Sequence, residues 1–372
     1  MTKTLILPGL DGSPAPHWQH WWAATDPTAL IVDQQDWANP RHEAWEADLA
    51  GAILTHPGCI LVGHSLGAVL AARMLTRWPQ LIAGLASPVY FQRNGTLIVW
   101  HRQDAHEAQR FSGLLAQTCR ALPTLPQPQA LDGRSLAGFE PALAQRFHQG
   151  LYLPDEGQLD NRQLLQALTE SLAARGVSVE WNHALTLDQA RDIQAGQGGW
   201  VLDCRGLGAR GEWQAAGQSL RGVRGEVARV HAPDVTLQRP TRLLHPRYPI
   251  YIAPKENHLF VIGATEIESD DMSPASVRST LELLSAAYAV HPGFGEGRIL
   301  ELCSHCRPTL PDNLPAVHEV APRVLQVNGL YRHGFMISPA MLDAVLEWMQ
   351  RGSTTLADRL HLRFSTLAAQ AA

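Results

Sequence analysis

Three parts of this 372-residue sequence hold side chains suited to chemistry. The first is Gly63-His64-Ser65-Leu66-Gly67. A G-x-S-x-G after an apolar run and before a helical pattern suits a hydrolase nucleophile elbow, in which a sharp strand-to-helix turn exposes the serine. Such a serine stays weakly reactive until a histidine takes its proton and an acid orients that histidine. Candidate bases such as His101, His106 and His148 lie on no loop after a further parallel strand, and each reads as an ordinary surface histidine. The plain alternative for Ser65 is an elbow-shaped turn with glycines at its tight positions. The second part is Cys303-Ser304-His305-Cys306. A lone C-x-x-C lacks the second ligand pair of a structural zinc site, so no metal is assigned and the thiols read as buried or neutral. The third is a set: Tyr251 in "IYIAP", Arg307 in "CRPTLPDN", Arg332 in "LYRHG", and the glycine-rich "CRGLGA" and "NGLYRHGF". A planar guanidinium can hold a carboxylate through two parallel charge-assisted bonds. Taken alone, an arginine is more often solvated or surface-paired, and either glycine pair can be only a turn.

The elements that position these residues fall into two styles. "TLILP", "ALIVDQQDW" and "CILVGHS" read as strands, with helical spacing in "RHEAWEADLAGAIL" and "LGAVLAARMLTRW". That alternation predicts a parallel α/β sheet. After about residue 85 the pattern changes. "SPVYFQRNGTLIVWHR" predicts a hairpin around Asn94-Gly95. "DAHEAQRFSGLLAQTCRAL" predicts an amphipathic helix, "PTLPQPQALDG" a proline-rich connection, and "NRQLLQALTESLAARG" a helix stopped by glycine. "VSVEWNHALTL" and "GGWVLDCRGLGA" read as strands. "GEVARVHAP", "TRLLHPRYPIYIAP" and "HLFVIGATEIES" predict consecutive strands of an antiparallel sheet. "SPASVRSTLELLSAAYAVHP" reads as a helix opened by Ser and Pro, "RVLQVNG" as a strand, and "SPAMLDAVLEWMQRG" as the final helix. The last residues, "STLAAQAA", are expected to fray. No internal repeat is visible.

Composition narrows the functional classes. Hydrophobic residues make up 45% and charged residues 17%, a soluble globular balance. A net charge of -5 gives no basic footprint, which argues against nucleic acid as a partner. No apolar run reaches the roughly 18 to 20 residues of a membrane span. The N-terminus enters a strand pattern at once, without a signal-peptide h-region, so a cytoplasmic location is the default. Five scattered cysteines do not suggest a disulfide framework.

Residues 1 to about 84 resemble the first half of the retinoblastoma-binding-protein/YdeN-like small serine hydrolases. The resemblance rests on "LPGLDGSPAPHWQHWW", "DWANP", "WEADL" and "GHSLGA". It implies Ser65 as nucleophile and the backbone N–H groups of Leu10 and Leu66 as oxyanion donors. That family's acid and histidine belong to a second half that this chain does not have. Residues from about 86 to 350 resemble the FAD-dependent D-amino-acid oxidase family, most closely its thiamine-biosynthesis glycine oxidases. The motifs are "GLYLPDEGQLDNRQLLQAL", "WVLDCRGLGA", "LRGVRGEV", "YPIYIAPKENHLFVIGATEIES", "CRPTLPDNLP" and "VNGLYRHGFMISPAM". The resemblance implies Arg307 as the carboxylate clamp, Arg332 on the substrate side of the flavin and Tyr251 as an orienting hydroxyl. It implies FAD contacts from Gly206 and Gly208, and from Gly329, His333, Gly334, Phe335 and Met336. The implied reaction is hydride transfer from a small amine such as glycine to FAD, followed by reoxidation with O₂, giving an imine and hydrogen peroxide.

The chain departs from that family at its start. Near its start there is no G-x-G-x-x-G to seat a pyrophosphate on a helix N-terminus, and "GLDGSP" has the wrong glycine spacing. Weakened FAD binding is the expectation. The sequence reads as an α/β partial parallel sheet (residues 1–85) joined to an α+β oxidase-type substrate domain with an antiparallel sheet (86–352), then a tail (353–372). FAD-dependent oxidation of glycine or a similar small amine is the leading reading. A serine hydrolase acting through Ser65 and a non-catalytic chimera are the alternatives. An uncovered sheet edge in the N-terminal piece would favour homo-oligomers.

Overall fold

The computed structural model describes residues 4–7, 29–31, 60–63, 78–121, 126–246, 248–360 and 362–367. Ser65, Leu10, Leu66 and the "GLDGSP" turn therefore lie outside the described residues. The chain divides into two compact units, Met1–Leu70 with Arg359–His361, and Ala71–Asp358 with Leu362–Ala372. In the first unit, β1 (Thr4–Leu7), β2 (Ala29–Ile31) and β3 (Ile60–Gly63) form a parallel sheet in the order β2-β1-β3.

The second unit opens with α1 (Trp78–Ala83), β4 (Phe91–Gln92), β5 (Thr96–Val99), α2 (Ala105–Ala121), β6 (Gln129–Asp132), α3 (Gly133–Phe139), β7 (Gln149–Leu153) and β8 (Gln158–Leu159). The expected hairpin at Asn94-Gly95 does not form. β4 pairs with β8, while β5 pairs with β7. The Asn-Gly signal marks a real turn, since Gly95 has a φ of 77°. Tertiary partners take over its flanks: Asn94 Nδ2 donates to the Gln238 carbonyl at 2.9 Å, and the Tyr152 ring lies over Gly95.

Helix α4 (Asn161–Ala174) starts where the Asp160 carboxylate accepts from the N–H groups of Arg162 and Gln163, and Gly176 follows it with a φ of 73°. The strand expected in "VSVEWNHALTL" is absent. Thr186 at its end instead forms a capping box with Gln189 and starts α5 (Leu187–Gln197). Next come β9 (Val201–Asp203), a 3₁₀ turn at Gly206–Ala209, α6 (Arg210–Ala215), β10 (Arg221–His231), β11 (Thr241–Leu243), β12 (Ile250–Pro254), β13 (Leu259–Gly263) and β14 (Ile267–Glu268). The N-cap of α7 (Val277–Val290) is Ser276, not the Ser273-Pro274 pair the sequence suggests. After it runs β15 (Arg298–Thr309), a 12-residue strand that periodicity did not announce. It reads poorly because apolar Ile299 and Leu300 are adjacent and exposed and the run from Cys303 to Thr309 is mostly polar or prolyl, so no period of two appears. β16 (Ala316–Ala321), β17 (Val324–Asn328), α8 (Gly334–Arg351), α9 (Thr355–Arg359) and β18 (Arg363–Ser365) complete the order.

Helix α8 begins before "SPAM" and runs through Pro339. Proline has no N–H for the carbonyl four residues back, here that of Phe335. The indole of buried Trp78 supplies the missing donor, Nε1 to the Phe335 carbonyl at 3.1 Å. The expected C-terminal tail also holds structure, because β18 pairs parallel with β16.

A nine-stranded mixed sheet dominates the unit, ordered β14-β10-β13-β12-β11-β5-β7-β6 with β15 along the other side of β10. The β10–β13–β12–β11 run is antiparallel, as expected, but β10 pairs with β13 instead of with the next strand, and "TRLLHPRYPIYIAP" forms two strands, not one. A second sheet runs β18-β16-β17-β9. One face of the large sheet is sealed by Ala228, Val230, Ile252 and Ile262 packing with Leu283 and Ala287 of α7. No helix among the described residues is long and apolar enough to cross a membrane.

Candidate active site

The other face of the sheet carries the polar chemistry, and strand register explains how. On β12, Ile250, Ile252 and Pro254 are buried while Tyr251 is 38% exposed, the alternation of a strand with one sealed face. Tyr251 stands opposite Gly263 of β13. A Cβ on Gly263 would lie 2.6 Å from the Tyr251 ring and hydroxyl, so the tyrosine lies flat across β13. On β15, Arg307 stands opposite Val223 of β10. A Cβ on Gly225, two residues along the same face, would lie 2.2 Å from the Arg307 guanidinium. Gly263 in turn faces Val227, two residues beyond Gly225. Two strand glycines thus clear a path over which Tyr251 and Arg307 lie near each other. Glycine inside a strand marks such a close approach, and that signal was available in the sequence.

Desolvation pushes the Tyr251 phenol above its ordinary pKa, and the Arg307 charge pulls the other way. Arg307 Nη1 donates to the Thr265 carbonyl at 3.2 Å. No carboxylate among the described residues lies within 4 Å of this guanidinium. Arg332 differs. It is 54% exposed, and its Nη1 lies 2.8 Å from Oε2 of Glu266. The same carboxylate accepts a bond from the Tyr331 hydroxyl. Burial first, then Glu266, pushes the Tyr331 phenol up to about 12. Tyr331 has a φ of 51°, a left-handed conformation uncommon outside glycine. Burial and then Arg332 hold the neighbouring His333 imidazole below its usual range.

The two glycine-rich turns meet through Asn328, which is 2% exposed. Its Nδ2 donates to the Gly206 carbonyl at 2.9 Å, and its Oδ1 accepts from the Gly329 N–H at 2.9 Å. Gly206 and Gly329 have φ values of 57° and 76°. At Gly329 a Cβ would also strike Leu310 at 2.7 Å, so packing inside the protein requires this glycine. Gly208 and Gly334 have negative φ and are less crowded.

A cavity of about 370 Å³ opens beside Tyr251, and Phe335 and Met336 at the start of α8 also line it, with Trp78, Arg242 and Lys255. Arg307, Arg332, His333, Gly334 and the glycines Gly206, Gly208 and Gly329 are not on its wall. Burial lowers the Lys255 ammonium to about 8. Its Nζ donates to Gln158 Oε1 at 3.1 Å and to the Leu159 carbonyl at 2.8 Å.

The start of α8 fits a flavin. Helices α3, α4, α5 and α7 each begin on a capping side chain. The 18-residue α8 has none, and neither has the short α6. A helix start without a capping side chain can offer its N–H groups and the positive end of its dipole to an outside acceptor such as a flavin carbonyl. Cys303 and Cys306 do not form a metal site, since three residues along a strand place them on opposite faces. The Cys303 thiol donates to Glu301 at 2.9 Å, and that of Cys306 to the carbonyls of Ser269 and Asp271. Burial raises the pKa of both thiols.

A mixed sheet with one helix-sealed face, an open face bearing Tyr251 and Arg307, and a cavity beside Tyr251 is an arrangement suited to an oxidoreductase of small amines. The chain belongs to the FAD dependent oxidoreductase family, whose model matches residues 22–348. FAD is its cofactor. The match begins inside the stretch that reads as hydrolase-like and crosses the junction expected near residue 86, and the hydrolase reading gains no support from it. A Rhizobium etli protein named as thiamine biosynthesis oxidoreductase ThiO is 43% identical over 302 residues, which cover 81% of this chain and 84% of that protein. Glycine oxidase from Geobacillus kaustophilus superposes with a TM-score of 0.64 at 22% identity, covering 77% of this chain and 80% of that one. Iminodiacetate oxidase from Chelativorans sp. BNC1 superposes with a TM-score of 0.64 at 16% identity, covering 98% and 99%. At such identities the two structures speak for the fold, a mixed-sheet oxidase fold.

Proposed function

We propose that this protein oxidises glycine, or an amine of similar size, as the oxidase of a thiamine-forming route. The observation that carries the reading is the Arg307 guanidinium, half-buried on the open face, beside Tyr251 and without a carboxylate partner among the described residues. A guanidinium so placed is matched by the carboxylate of an incoming amino acid, held by two parallel bonds. Tyr251 contributes a hydroxyl that stays protonated at neutral pH, because its pKa is raised from an already high value. It can therefore donate to the substrate carboxylate or accept from its amine. Together they fix the Cα–H direction, which is the positioning part of catalysis. Bound FAD supplies the two-electron acceptor, with O₂ taking the electrons onward to peroxide. The uncapped start of α8, carrying Gly334, Phe335 and Met336, is the flavin-side wall. Arg332 and His333 precede it in the chain, and the Gly206 and Gly329 turns are tied together by Asn328.

The test is peroxide release from glycine by FAD-loaded protein, with sarcosine and D-alanine compared. Glycine turnover lost in Arg307→Ala is the expected result. Flavin-loaded protein that releases no peroxide from any of the three amines would overturn the reading. Absorbance of bound flavin after desalting measures separately how tightly the N-terminal residues hold the dinucleotide.

A further inference from the structure

One residue joins the sealed face of the sheet to the open one. Glu226 and Arg224 are 1% and 4% exposed, and they form a buried ion pair. Arg224 Nε and Nη2 donate to Glu226 Oε1 at 3.0 and 2.7 Å. Thr265 is bound to the same glutamate by three bonds. Its hydroxyl donates to Glu226 Oε2 at 3.1 Å and accepts from the Glu226 N–H at 2.9 Å. Its own N–H donates to the Glu226 carbonyl at 3.2 Å. The remaining polar group of Thr265, its carbonyl, accepts from Arg307 Nη1. The next residue, Glu266, holds Tyr331 and Arg332.

We propose that Thr265 is a positioning residue for Arg307: its hydroxyl, locked to buried Glu226, aims the carbonyl that orients the guanidinium. The proposal rests on Arg307 being the substrate-carboxylate clamp. The hydroxyl matters because it is both donor and acceptor to one residue, a geometry serine reproduces and valine or alanine does not. Glu226 keeps Arg224 and the Ser276 N–H when that hydroxyl is removed, so the ion pair survives.

The test compares Thr265→Val, Thr265→Ala and Thr265→Ser with wild type and Arg307→Ala, all FAD-loaded. Glycine kinetics are read beside calorimetric binding of glycolate, a carboxylate without the amine. The Val and Ala variants should raise the KM for glycine and the Kd for glycolate about tenfold, the scale of one misdirected charged hydrogen bond, with kcat little changed. Thr265→Ser should stay near wild type on both. If Thr265→Val does not fold, the Ser and Ala pair carries the same comparison. Unchanged KM and Kd in the Val and Ala variants overturn the proposal and leave the clamp standing. So does a loss confined to kcat, or a Ser variant as impaired as Ala. Glycolate binding indifferent to Arg307→Ala overturns the clamp, and this inference with it. If glycine is not turned over but glycolate needs Arg307, the Kd series alone decides for or against Thr265.

Discussion

Arg224 and Arg307 sit on neighbouring strands of one ribbon and face opposite ways. Arg224 lies on the sealed face at 4% exposure, and its donors reach Glu226 and the carbonyls of Asp271 and Pro274. Arg307 lies on the open face with a single protein acceptor among the described residues, a backbone carbonyl. Both are strand arginines beside glycine and valine, so residue type does not separate them. Charge matching does. An arginine whose acid is supplied from within is part of the fold, and one left without an acid is suited to a ligand's carboxylate.

The largest expected effect follows from that contrast. Arg307→Ala should lower kcat/KM for glycine about a thousandfold, the scale of two charge-assisted bonds lost together. Its thermal midpoint should stay close to wild type, because no internal acid is orphaned. Steady-state peroxide kinetics and calorimetric unfolding check the two halves. Glu226→Ala should act mainly on folding, with a smaller effect on glycine binding through Thr265, which loses one of its bonds. Removing one partner of a buried pair leaves Arg224 with only the exposed Asp271 carboxylate at 3.6 Å, at a cost of about 3 kcal/mol of folding stability. Acid should bring out the same pair. Burial pushes the Glu226 carboxyl up, but bonds from Ser279, Arg224, Thr265 and Ser276 outweigh it and hold its pKa below the ordinary value. A depressed carboxyl contributes stability above its unfolded pKa and loses it as pH falls through the folded one, so the loss begins below about pH 4. Denaturant titrations at stepped pH should show a flatter acid limb in Glu226→Gln than in wild type.

The two faces also differ in how legible they were. Tyr251, Arg307 and the "NGLYRHGF" turn are visible as motifs, and Tyr251, Phe335 and Met336 do line one cavity. The antiparallel run of β10 to β13 follows from alternation. What the sequence hides is register. Nothing local says that Gly225 lies under Arg307, that Gly263 lies under Tyr251, or that Thr265 ties Glu226 to Arg307 across 39 and 42 residues of chain. β15 is missed because its apolar residues do not alternate with polar ones, so no period of two appears. The Asn94-Gly95 turn is legible as a turn and misleading as a hairpin, since strand partners are chosen by tertiary contacts. Gly329 reads as room for a ligand, while the side chain it makes room for is Leu310. The elbow at Ser65 lies outside the described residues and keeps only its sequence pattern.

A smaller effect sharpens the contrast by adding one methyl group. In Gly225→Ala the new Cβ falls 2.2 Å from the Arg307 guanidinium, far inside contact distance. Gly225 has no positive φ, so the backbone accepts alanine without strain. The flexible guanidinium must lift away instead. The KM for glycine should rise roughly tenfold with the thermal midpoint unchanged or slightly higher, as removing a glycine from a strand allows. A Gly225→Ala protein with wild-type KM would mean that Arg307 binds substrate in another pose than the flat one seen here.

The smallest effect concerns Tyr251→Phe. The Tyr251 hydroxyl makes no hydrogen bond to a described residue, so its loss orphans no partner and should leave stability where it is. The ring still lies across Gly263, and its packing is kept. What is lost is one neutral hydrogen bond to substrate, about 1 kcal/mol or roughly fivefold in KM. The raised phenol pKa adds a stricter requirement. A hydroxyl that stays protonated through the neutral range contributes equally at each pH there. The ratio of wild-type to Tyr251→Phe kcat/KM should therefore be constant from about pH 6 to 9, well below the ordinary phenol value near 10. If the ratio changes steadily across that range, the phenol ionises during the reaction. Tyr251 would then act as an acid or base instead of an orienting hydroxyl, and Arg307 would have a second charge beside it.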